Sequence, residues 1–356
     1  MTLFLLLMIF HTDFRGIWIP RWSLADKNKI FTHLEGRFNH IFLQIFALGE
    51  AYYPSRYAPS KRQSDEWLKN FIAEAHRRNI KVSAWVNFHY SWGYAPRPMT
   101  QLHPINHHPD WYVQDIHGRS ILEYSVGELK KLGLEGYYLA PANPQVQSYL
   151  SNIAEEIIEN YDFDGLHIDY IRYPNDDFIY DPLLRSKFMR RYYIDPMEIM
   201  TSRDFQKRYS LWGAEDLKKK WQRFVSDDLT RFIKDLRDRL KKKKPDLLIS
   251  AAVKPDYISA RYDFYQDWLT WLNSGYVDFV CLMSYTRALK RYFSKIKKSV
   301  DEPRRVVFGI GLYILKPKEV SYQVKLVDAQ PFAGVVFFSY EQLKKNKAYL
   351  HSLILP

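Results

Sequence analysis

The chain has 356 residues, of which 47% are hydrophobic, 26% charged and 17% aromatic, and its formal net charge at pH 7 is +12. These values exclude a disordered chain and indicate a globular protein with ample apolar material for a core. The positive charge would attract a polyanion, but no DNA- or RNA-binding signature accompanies it, so we do not expect a nucleic-acid partner.

The N-terminus contains eight consecutive apolar residues at positions 3–10, which are too few to span a bilayer. They resemble the apolar part of an export signal, although a basic start and a small-x-small cleavage site are absent. We therefore expect residues 1–13 to be the remnant of an export signal or a segment packed on the fold, followed by one domain over residues 14–356. A signal would place the protein in the periplasm or cell envelope, whereas its incompleteness leaves a cytoplasmic location open.

Eight short runs rich in Val, Ile and aromatic residues, each bounded by turn residues, are typical of strands. They lack a clean period of two, which indicates strands that are covered on both faces. The runs occupy residues 15–20, 40–49, 81–88, 165–173, 247–255, 278–285, 306–313 and 334–340.

Helical patterns separate the strands, most clearly over residues 64–79, 143–161 and 221–246. In the second of these, Asn143 is the predicted N-cap and Pro144 the first helical residue. Strand and helix units that alternate eight times predict a single α/β domain with the (β/α)8 TIM-barrel fold. An open doubly wound sheet is the alternative, but no Gly-rich phosphate turn follows the first strand.

Two connections are long, those after strand 3 (residues 88–144) and strand 4 (residues 174–221). Loops of this length are uncommon unless they are functional. In a TIM barrel both would rise over the C-terminal face, where the strand ends converge and the active site lies. The high aromatic content of 17% supplies platforms for flat ligand faces such as sugar rings, so a carbohydrate chain is a candidate ligand there. The substrate-binding candidates are Trp22, Gln44, Trp85, Asn87, His89, His167, Arg172, Lys254, Tyr285 and Glu341.

Strand 4 carries an unusual amount of charge for a buried strand, in the run "DGLHIDYIRYP". Side-chain alternation predicts that Asp169 points into the barrel mouth with His167 beneath it. The same alternation places Ile171 on the inner side and Tyr170 toward the helices. Asp164 precedes the strand and is expected in a turn at the bottom of the barrel.

Hydrolysis of a glycosidic bond needs a carboxyl group as proton donor and a second group that stabilises or captures an oxocarbenium-like transition state. Asp169 suits the second role, because a buried ion pair with Arg172 alone would add little net stability. Asp256, after strand 5, is our candidate for the proton donor, and Glu341, after strand 8, is the other carboxyl group near a strand end. An N-acetyl group on the substrate could replace the protein nucleophile.

The loop after strand 3 is rich in histidine, with His103, His107, His108 and His117. Adjacent histidines point their side chains apart, and no HExxH-like spacing occurs. We therefore expect neither a metal nor a cofactor. Cys281 is the only cysteine, which excludes an intrachain disulfide, and its apolar surroundings predict a core position.

Seven runs in chain order carry a resemblance that covers residue 14 to about residue 340: "RGIWI", "FLQIFALGEAYYPS", "KVSAWVNF", "HPDW", "YYLAPANPQVQSYL", "YDFDGLHIDYIRYP" and "DFVCLMSY". In this order the set resembles the glycosyl hydrolase-like 10 family of bacterial proteins. The resemblance implies a (β/α)8 fold, a glycan-cleaving activity and, for at least some members, bacterial cell-wall glycan as the substrate class. It also implies that Asp169 is the key carboxylate and that Arg172 belongs to the same signature.

Strand 4 is also similar to the DGxDxDxE run of family-18 chitinases, and "MSY" at strand 6 resembles their Met-x-Tyr. His167 replaces the middle Asp of that run and Ile171 replaces the acid Glu, so the proton donor must come from another strand. In the nucleophile region of α-amylase-like barrels an Asp falls at the position of Asp169. We therefore predict a glycoside hydrolase that cleaves O-glycosidic bonds in an oligo- or polysaccharide. The alternatives are a non-catalytic carbohydrate-binding barrel and a basic protein that adheres to an anionic wall.

Overall fold

The computed structural model describes residues 14–24, 27–201 and 204–352, and the expectation for residues 1–13 lies outside these ranges. Parallel strands, numbered in chain order, form the central sheet: β1 (Phe14–Ile19), β2 (His40–Ala47), β3 (Lys81–Asn87), β4 (Gly165–Asp169), β5 (Leu248–Val253), β6 (Phe279–Leu282), β7 (Val306–Gly311) and β8 (Gly334–Phe338). Each strand pairs with the next, and β1 also pairs with β8, so the sheet closes into a barrel. The predicted (β/α)8 TIM barrel is confirmed.

Helices follow the strands around the barrel. The main ones are α1 (Lys27–Leu34), α2 (Glu66–Arg77), α3 (Pro144–Asn160), α4 (Phe205–Lys243), α5 (Trp268–Asn273), α6 (Phe293–Ser299), α7 (Pro317–Asp328) and α8 (Tyr340–Lys345). Additional helices are Pro104–His107, Val126–Lys131, Pro182–Tyr192, Pro196–Thr201, Tyr257–Asp263 and Ala348–Ser352. None of the described helices is long and apolar enough to cross a bilayer.

The two long connections are folded segments. The connection after β3 contains a small antiparallel sheet made of Tyr90–Trp92 and Tyr137–Tyr138. It ends at α3, whose predicted cap is confirmed, because the Asn143 side chain accepts a hydrogen bond from the Gln145 backbone N–H at 2.9 Å. Another short strand, Glu50–Ala51, pairs antiparallel with the end of β2.

Two apolar layers hold the barrel together. The outer layer lies between strands and helices and contains Leu166 and Ile168 of β4, as alternation predicts. The inner layer fills the barrel and contains Cys281, which is buried as expected. Large aromatic rings dominate the volume of this inner layer: Trp18, Phe42, Trp85 and Phe279.

Strand β4 ends at Asp169, four residues earlier than predicted from the sequence. Tyr170 has a φ of 54°, in the left-handed region that non-glycine residues rarely adopt. This residue breaks the alternation of side chains. The predicted inward position of Ile171 is therefore wrong, since Ile171 is buried in the outer layer, and Tyr170 lies at the barrel mouth instead of facing the helices.

One hydrogen bond recurs at the bottom of the barrel. A backbone N–H near the start of β1, β3 or β5 donates to the side chain of the residue that directly precedes the following strand. The N–H of Arg15 donates to Asn39 at 2.9 Å and that of Ile249 to Asp278 at 2.7 Å. In the same way, the N–H of Val82 donates to the Asp164 carboxylate at 2.7 Å. The predicted role of Asp164 at the entry to β4 is thus a capping role.

We expect Asp164→Ala to lower the free energy of unfolding by about 1–3 kcal/mol, because it leaves a strand N–H without its acceptor. It also removes the partner of His76, whose Nε2 lies 2.9 Å from the carboxylate. Urea denaturation of the variant measures the loss. Asp162→Ala is the matched control, since that side chain is 84% exposed; equal losses in the two variants would contradict the capping role.

Candidate active site

A cavity of about 500 Å³ opens at the C-terminal ends of the strands. All eight barrel strands contribute to it through their last residues or the residues that follow. The connection after β3 adds two more side chains, as expected for a loop that rises over this face. The lining residues are Trp18, Arg21, Trp22, Gln44, Leu48, Trp85, Asn87, Tyr90, Glu135, Asp169, Tyr170, Arg172, Ala252, Lys254, Met283, Tyr285, Tyr313 and Phe338.

The structure brings together eight of the twelve residues predicted for the site. Those that line the cavity are Trp22, Gln44, Trp85, Asn87, Asp169, Arg172, Lys254 and Tyr285. Asp256, His89, His167 and Glu341 do not line it.

Asp169 lies at the end of β4 and is only 8% exposed. Its Oδ2 accepts a hydrogen bond from the Trp85 indole N–H at 3.1 Å, and its Oδ1 accepts one from the Tyr170 backbone N–H at 2.8 Å. Burial raises the pKa of Asp169 to about 6, against the opposing effects of these two donors and of the Arg172 charge. A carboxyl group with such a pKa exchanges its proton near neutrality.

Glu135 is a second carboxylate of the cavity, and the sequence analysis missed it. Its Oε2 accepts hydrogen bonds from the Arg172 guanidinium at 2.9 Å and from the Tyr138 hydroxyl at 2.7 Å. Partial burial would raise the pKa of Glu135, but Arg172 and Tyr138 together with Lys254 outweigh burial and lower it. The sequence feature that could have indicated Glu135 is its place just before the run "YYLAPANP", in the connection expected to rise over the C-terminal face of the barrel.

Arg172 is held in a cage of aromatic rings at the cavity wall. Its guanidinium lies 5.0 Å from the ring centroid of Tyr170, 5.2 Å from that of Phe264 and 5.6 Å from that of Tyr138. The rings and the ion pair hold the Arg172 side chain in one position. Arg172 therefore both orients the Glu135 carboxylate and neutralises its charge.

His167 lies beneath the cavity floor and acts through Trp18. The Trp18 indole N–H donates to His167 Nε2 at 3.0 Å, and His167 Nδ1 lies 2.9 Å from Ser250 Oγ. Since an indole only donates, the ring proton is on Nδ1 and is donated to the serine. Burial lowers the pKa of His167 far below its usual value, so the ring is neutral. The expected substrate contact is therefore replaced by a positioning role.

Asp256 is turned away from the cavity. Its Oδ1 accepts the backbone N–H groups of Ile258 and Ser259 at 2.9 and 3.2 Å, which makes it the N-cap of the helix Tyr257–Asp263. Its other oxygen forms an ion pair with Lys295 at 2.7 Å. Burial opposes these contacts, but they lower the pKa of Asp256. Position and ionisation both argue against Asp256 as a proton donor.

The other two candidates outside the cavity also have local contacts. Glu341 accepts a hydrogen bond from the Ser23 hydroxyl at 2.6 Å. His89 is fully buried, with its ring 6.3 Å from that of Phe232 of α4, and burial lowers its pKa to about 3. Both residues follow a strand end, but their chains bend away from the cavity.

Aromatic rings form much of the cavity wall. Trp22 and Tyr313 are 60% and 53% exposed, although both line the cavity. Tyr90 stacks on Tyr170 with centroids 4.6 Å apart. Exposed rings beside polar groups are suited to a ligand with one apolar face and several hydroxyls.

No cluster of three or more His, Cys, Asp or Glu side chains suited to a metal occurs among the described residues. The histidine-rich loop has structural contacts instead. His103 Nδ1 accepts the Ile105 N–H at 3.1 Å and so caps the short helix Pro104–His107. His108 stacks on Trp111 with centroids 3.8 Å apart.

Sequence comparison relates the chain to a family of glycosyl hydrolase-like proteins. The model of the glycosyl hydrolase-like 10 family matches residues 13–325. Glycosyl hydrolase YngK from Bacillus subtilis (strain 168) is 22% identical over 69% of this chain and 46% of YngK, so the chain spans less than half of that relative. Glycosyl hydrolase DigH from Escherichia coli (strain K12) is 23% identical over 86% of this chain and 73% of DigH.

Solved structures share the fold. The glycoside hydrolase domain of PgaB (BpsB) from Bordetella bronchiseptica superposes over 96% of this chain and 99% of that domain, with a TM-score of 0.70 and 15% identity. A GH18 chitinase from Cycas revoluta, solved in complex with (GlcNAc)4, superposes over 96% of this chain and 98% of its own, with a TM-score of 0.55 and 11% identity. At these identities the likeness concerns the fold alone.

The buried carboxyl of Asp169 predicts a pH-dependent stability. Its folded-state pKa of about 6 exceeds the usual value of about 3.9, so between these values the folded chain binds more protons than the unfolded one. The free energy of unfolding therefore falls as the pH rises through this window and stays lower above it. Asp169→Asn removes this loss, so we expect its free energy of unfolding, relative to that of wild type, to be higher at pH 8 than at pH 4 by about 1–3 kcal/mol. Because Asn has one acceptor oxygen for the two N–H donors of Trp85 and Tyr170, the variant also loses a hydrogen bond at both pH values.

Guanidinium denaturation at the two pH values measures this difference. The control is Asp246→Asn, which alters an exposed aspartate outside the cavity. A stability difference between Asp169→Asn and wild type that is the same at both pH values would contradict the raised pKa.

Proposed function

Because this chain belongs to the glycosyl hydrolase-like 10 family, we propose that it is a glycoside hydrolase that cleaves O-glycosidic bonds in an oligo- or polysaccharide. The observation that carries the proposal is a pair of carboxyl groups, Asp169 and Glu135, in one cavity with aromatic walls. Their pKa values are shifted in opposite directions, upward for Asp169 and downward for Glu135. Glycosidases need such a divided pair.

The division of pKa values supports one assignment of roles. Asp169, with the raised pKa, donates its proton to the leaving oxygen as the glycosidic C–O bond breaks. Glu135 stays ionised and stabilises or captures the oxocarbenium-like centre, with Arg172 and Tyr138 holding it in place. Water then supplies the hydroxyl group, and its proton returns to Asp169. This assignment reverses the role expected for Asp169 from the sequence.

A glycan of the bacterial cell wall is the substrate class that we propose to test first. The curated relatives are bacterial glycosyl hydrolases, and the net charge of +12 favours an acidic polymer. The exposed rings of Trp22 and Tyr313 offer platforms for sugar rings. A cell-wall substrate would place the protein outside the cytoplasm.

Turnover of peptide-free peptidoglycan strands, followed by the release of reducing ends, tests the assignment of the two carboxyl groups. We expect Asp169→Asn and Glu135→Gln each to lower kcat/KM by about 10²- to 10⁴-fold while binding is retained. Asp256→Asn should remain within about threefold of wild type, because Asn is also a good N-cap and the residue lies outside the cavity. A large loss in Asp256→Asn would restore it as the proton donor. Strands that bind to the wild-type chain and are never cleaved would favour a non-catalytic carbohydrate-binding barrel.

The pH profile of kcat/KM tests the role of Asp169 as the acid. The active form must hold the proton, so the rate should fall tenfold for each pH unit above about 6, the pKa of Asp169. The measurement is the initial rate between pH 5 and pH 9, with stability checked at each pH. A rate that rises through pH 6 to a plateau would mean that Asp169 acts in its ionised form, as the sequence analysis expected.

A further inference from the structure

Three cationic side chains line the cavity, and one of them lacks a polar partner for its charge. Arg172 forms an ion pair with Glu135, and the Arg21 guanidinium donates to Gln44 Oε1 at 3.1 Å. The Lys254 ammonium group forms no ion pair or hydrogen bond with any residue in the described ranges, and it lies over the aromatic ring of Phe264. Its charge is therefore available to a ligand in the cavity.

Lys254 is held in a fixed position. Its Nζ lies 4.5 Å from the ring centroid of Phe264, and its backbone N–H donates to Gln266 Oε1 at 2.9 Å. Gln266 is fully buried and its amide also donates to the carbonyl oxygens of Ala252 and Ile171, at 3.2 and 3.4 Å. This glutamine joins the ends of β4 and β5, so the lysine projects from a rigid base rather than from a free loop.

The charges around Lys254 favour an added negative charge. The cavity contains the cations Arg21, Arg172 and Lys254 and the carboxyl groups Asp169 and Glu135. When Asp169 is protonated, three cations face a single carboxylate. Burial and the nearby Arg172 charge lower the pKa of Lys254, and the more distant charges of Glu135 and Asp169 offset them only in part. The ammonium group has thus lost water without gaining a directly bonded carboxylate.

We propose that Lys254 binds a carboxylate carried by a sugar of the substrate, so that the preferred glycan is an acidic one. The inference rests on the proposed function and names its substrate class. A carboxylate is the anionic group that sugars of the proposed substrate class carry, and one ammonium group can bind it directly. The ammonium group would donate charge-assisted hydrogen bonds to it. Such a carboxylate occurs on a lactyl ether of an amino sugar or on the ring of a uronic acid.

Matched glycans separate charge from shape. Peptide-free peptidoglycan strands carry lactyl carboxylates, the same strands converted to methylamides carry none, and hyaluronan fragments carry ring carboxylates. Turnover and equilibrium binding are measured for each with the full chain. The variants are Lys254→Gln, Lys254→Arg and the control Lys290→Gln. Lys290 is an exposed lysine outside the cavity, and like Lys254 it contacts one aromatic ring, with its Nζ 6.0 Å from the Tyr322 ring centroid.

We expect Lys254→Gln to raise Kd for the lactyl strands about tenfold. The methylamide strands should bind equally to wild type and to Lys254→Gln. Lys254→Arg should recover most of the affinity, and Lys290→Gln should match wild type with every glycan. A Lys254-dependent affinity for hyaluronan instead would support the carboxylate site and assign it to a ring carboxylate.

Equal binding of charged and methylamide strands by the wild-type chain, unchanged in Lys254→Gln, would overturn this inference and leave the proposed function intact. A wild-type chain that cleaves none of the glycans would overturn the proposed function. In that case the Kd values still decide the carboxylate site, because binding does not depend on turnover.

Discussion

The cavity depends on one costly feature, the burial of a carboxyl group at the end of β4. A charge at that depth must be compensated or protonated. Asp169 receives one indole N–H from Trp85 and one backbone N–H from Tyr170, and no cation among the described residues forms a direct ion pair with it. The two hydrogen bonds partly compensate the cost of burying the carboxyl group. Because no direct ion pair stabilises the ionised form, the pKa of the carboxyl group stays raised. In the proposed mechanism, stability is given up at the position where proton transfer requires it.

The same aromatic rings that fill the barrel also position this carboxyl group. Trp85 belongs to the inner apolar layer and donates to Asp169. Trp18 belongs to the same layer, lines the cavity, and is fixed by the neutral imidazole of His167. Each indole buries a large apolar surface and has a single N–H that needs a partner. The high aromatic content of the chain therefore serves core packing and site geometry together.

The fold could be predicted from the sequence because a strand buried on both faces leaves a continuous apolar run, and a helix cap leaves a local signature, as at Asn143. Site residues within or directly after strands, such as Trp85 and Asn87, followed from the convergence of strand ends in a barrel. The same rule selected Asp256, which the structure turns away, because a carboxylate at a helix start accepts the local backbone N–H groups. Periodicity does not show whether a polar residue after a strand caps the next helix or faces the cavity.

The backbone after β4 also decides which element supplies the second carboxyl group of the cavity. After Asp169 the left-handed backbone of Tyr170 reverses the alternation, and Ile171 enters the outer apolar layer, where it is fully buried. A glutamate at position 171 would place its carboxylate among aliphatic side chains rather than in the cavity. The second carboxyl group of the cavity therefore comes from another element, one that covers the barrel mouth. Glu135 is such a group, because the small sheet of Tyr90–Trp92 and Tyr137–Tyr138 places it over the barrel mouth. The packing of this long loop on the barrel sets the position of Glu135, and the local sequence does not show that packing.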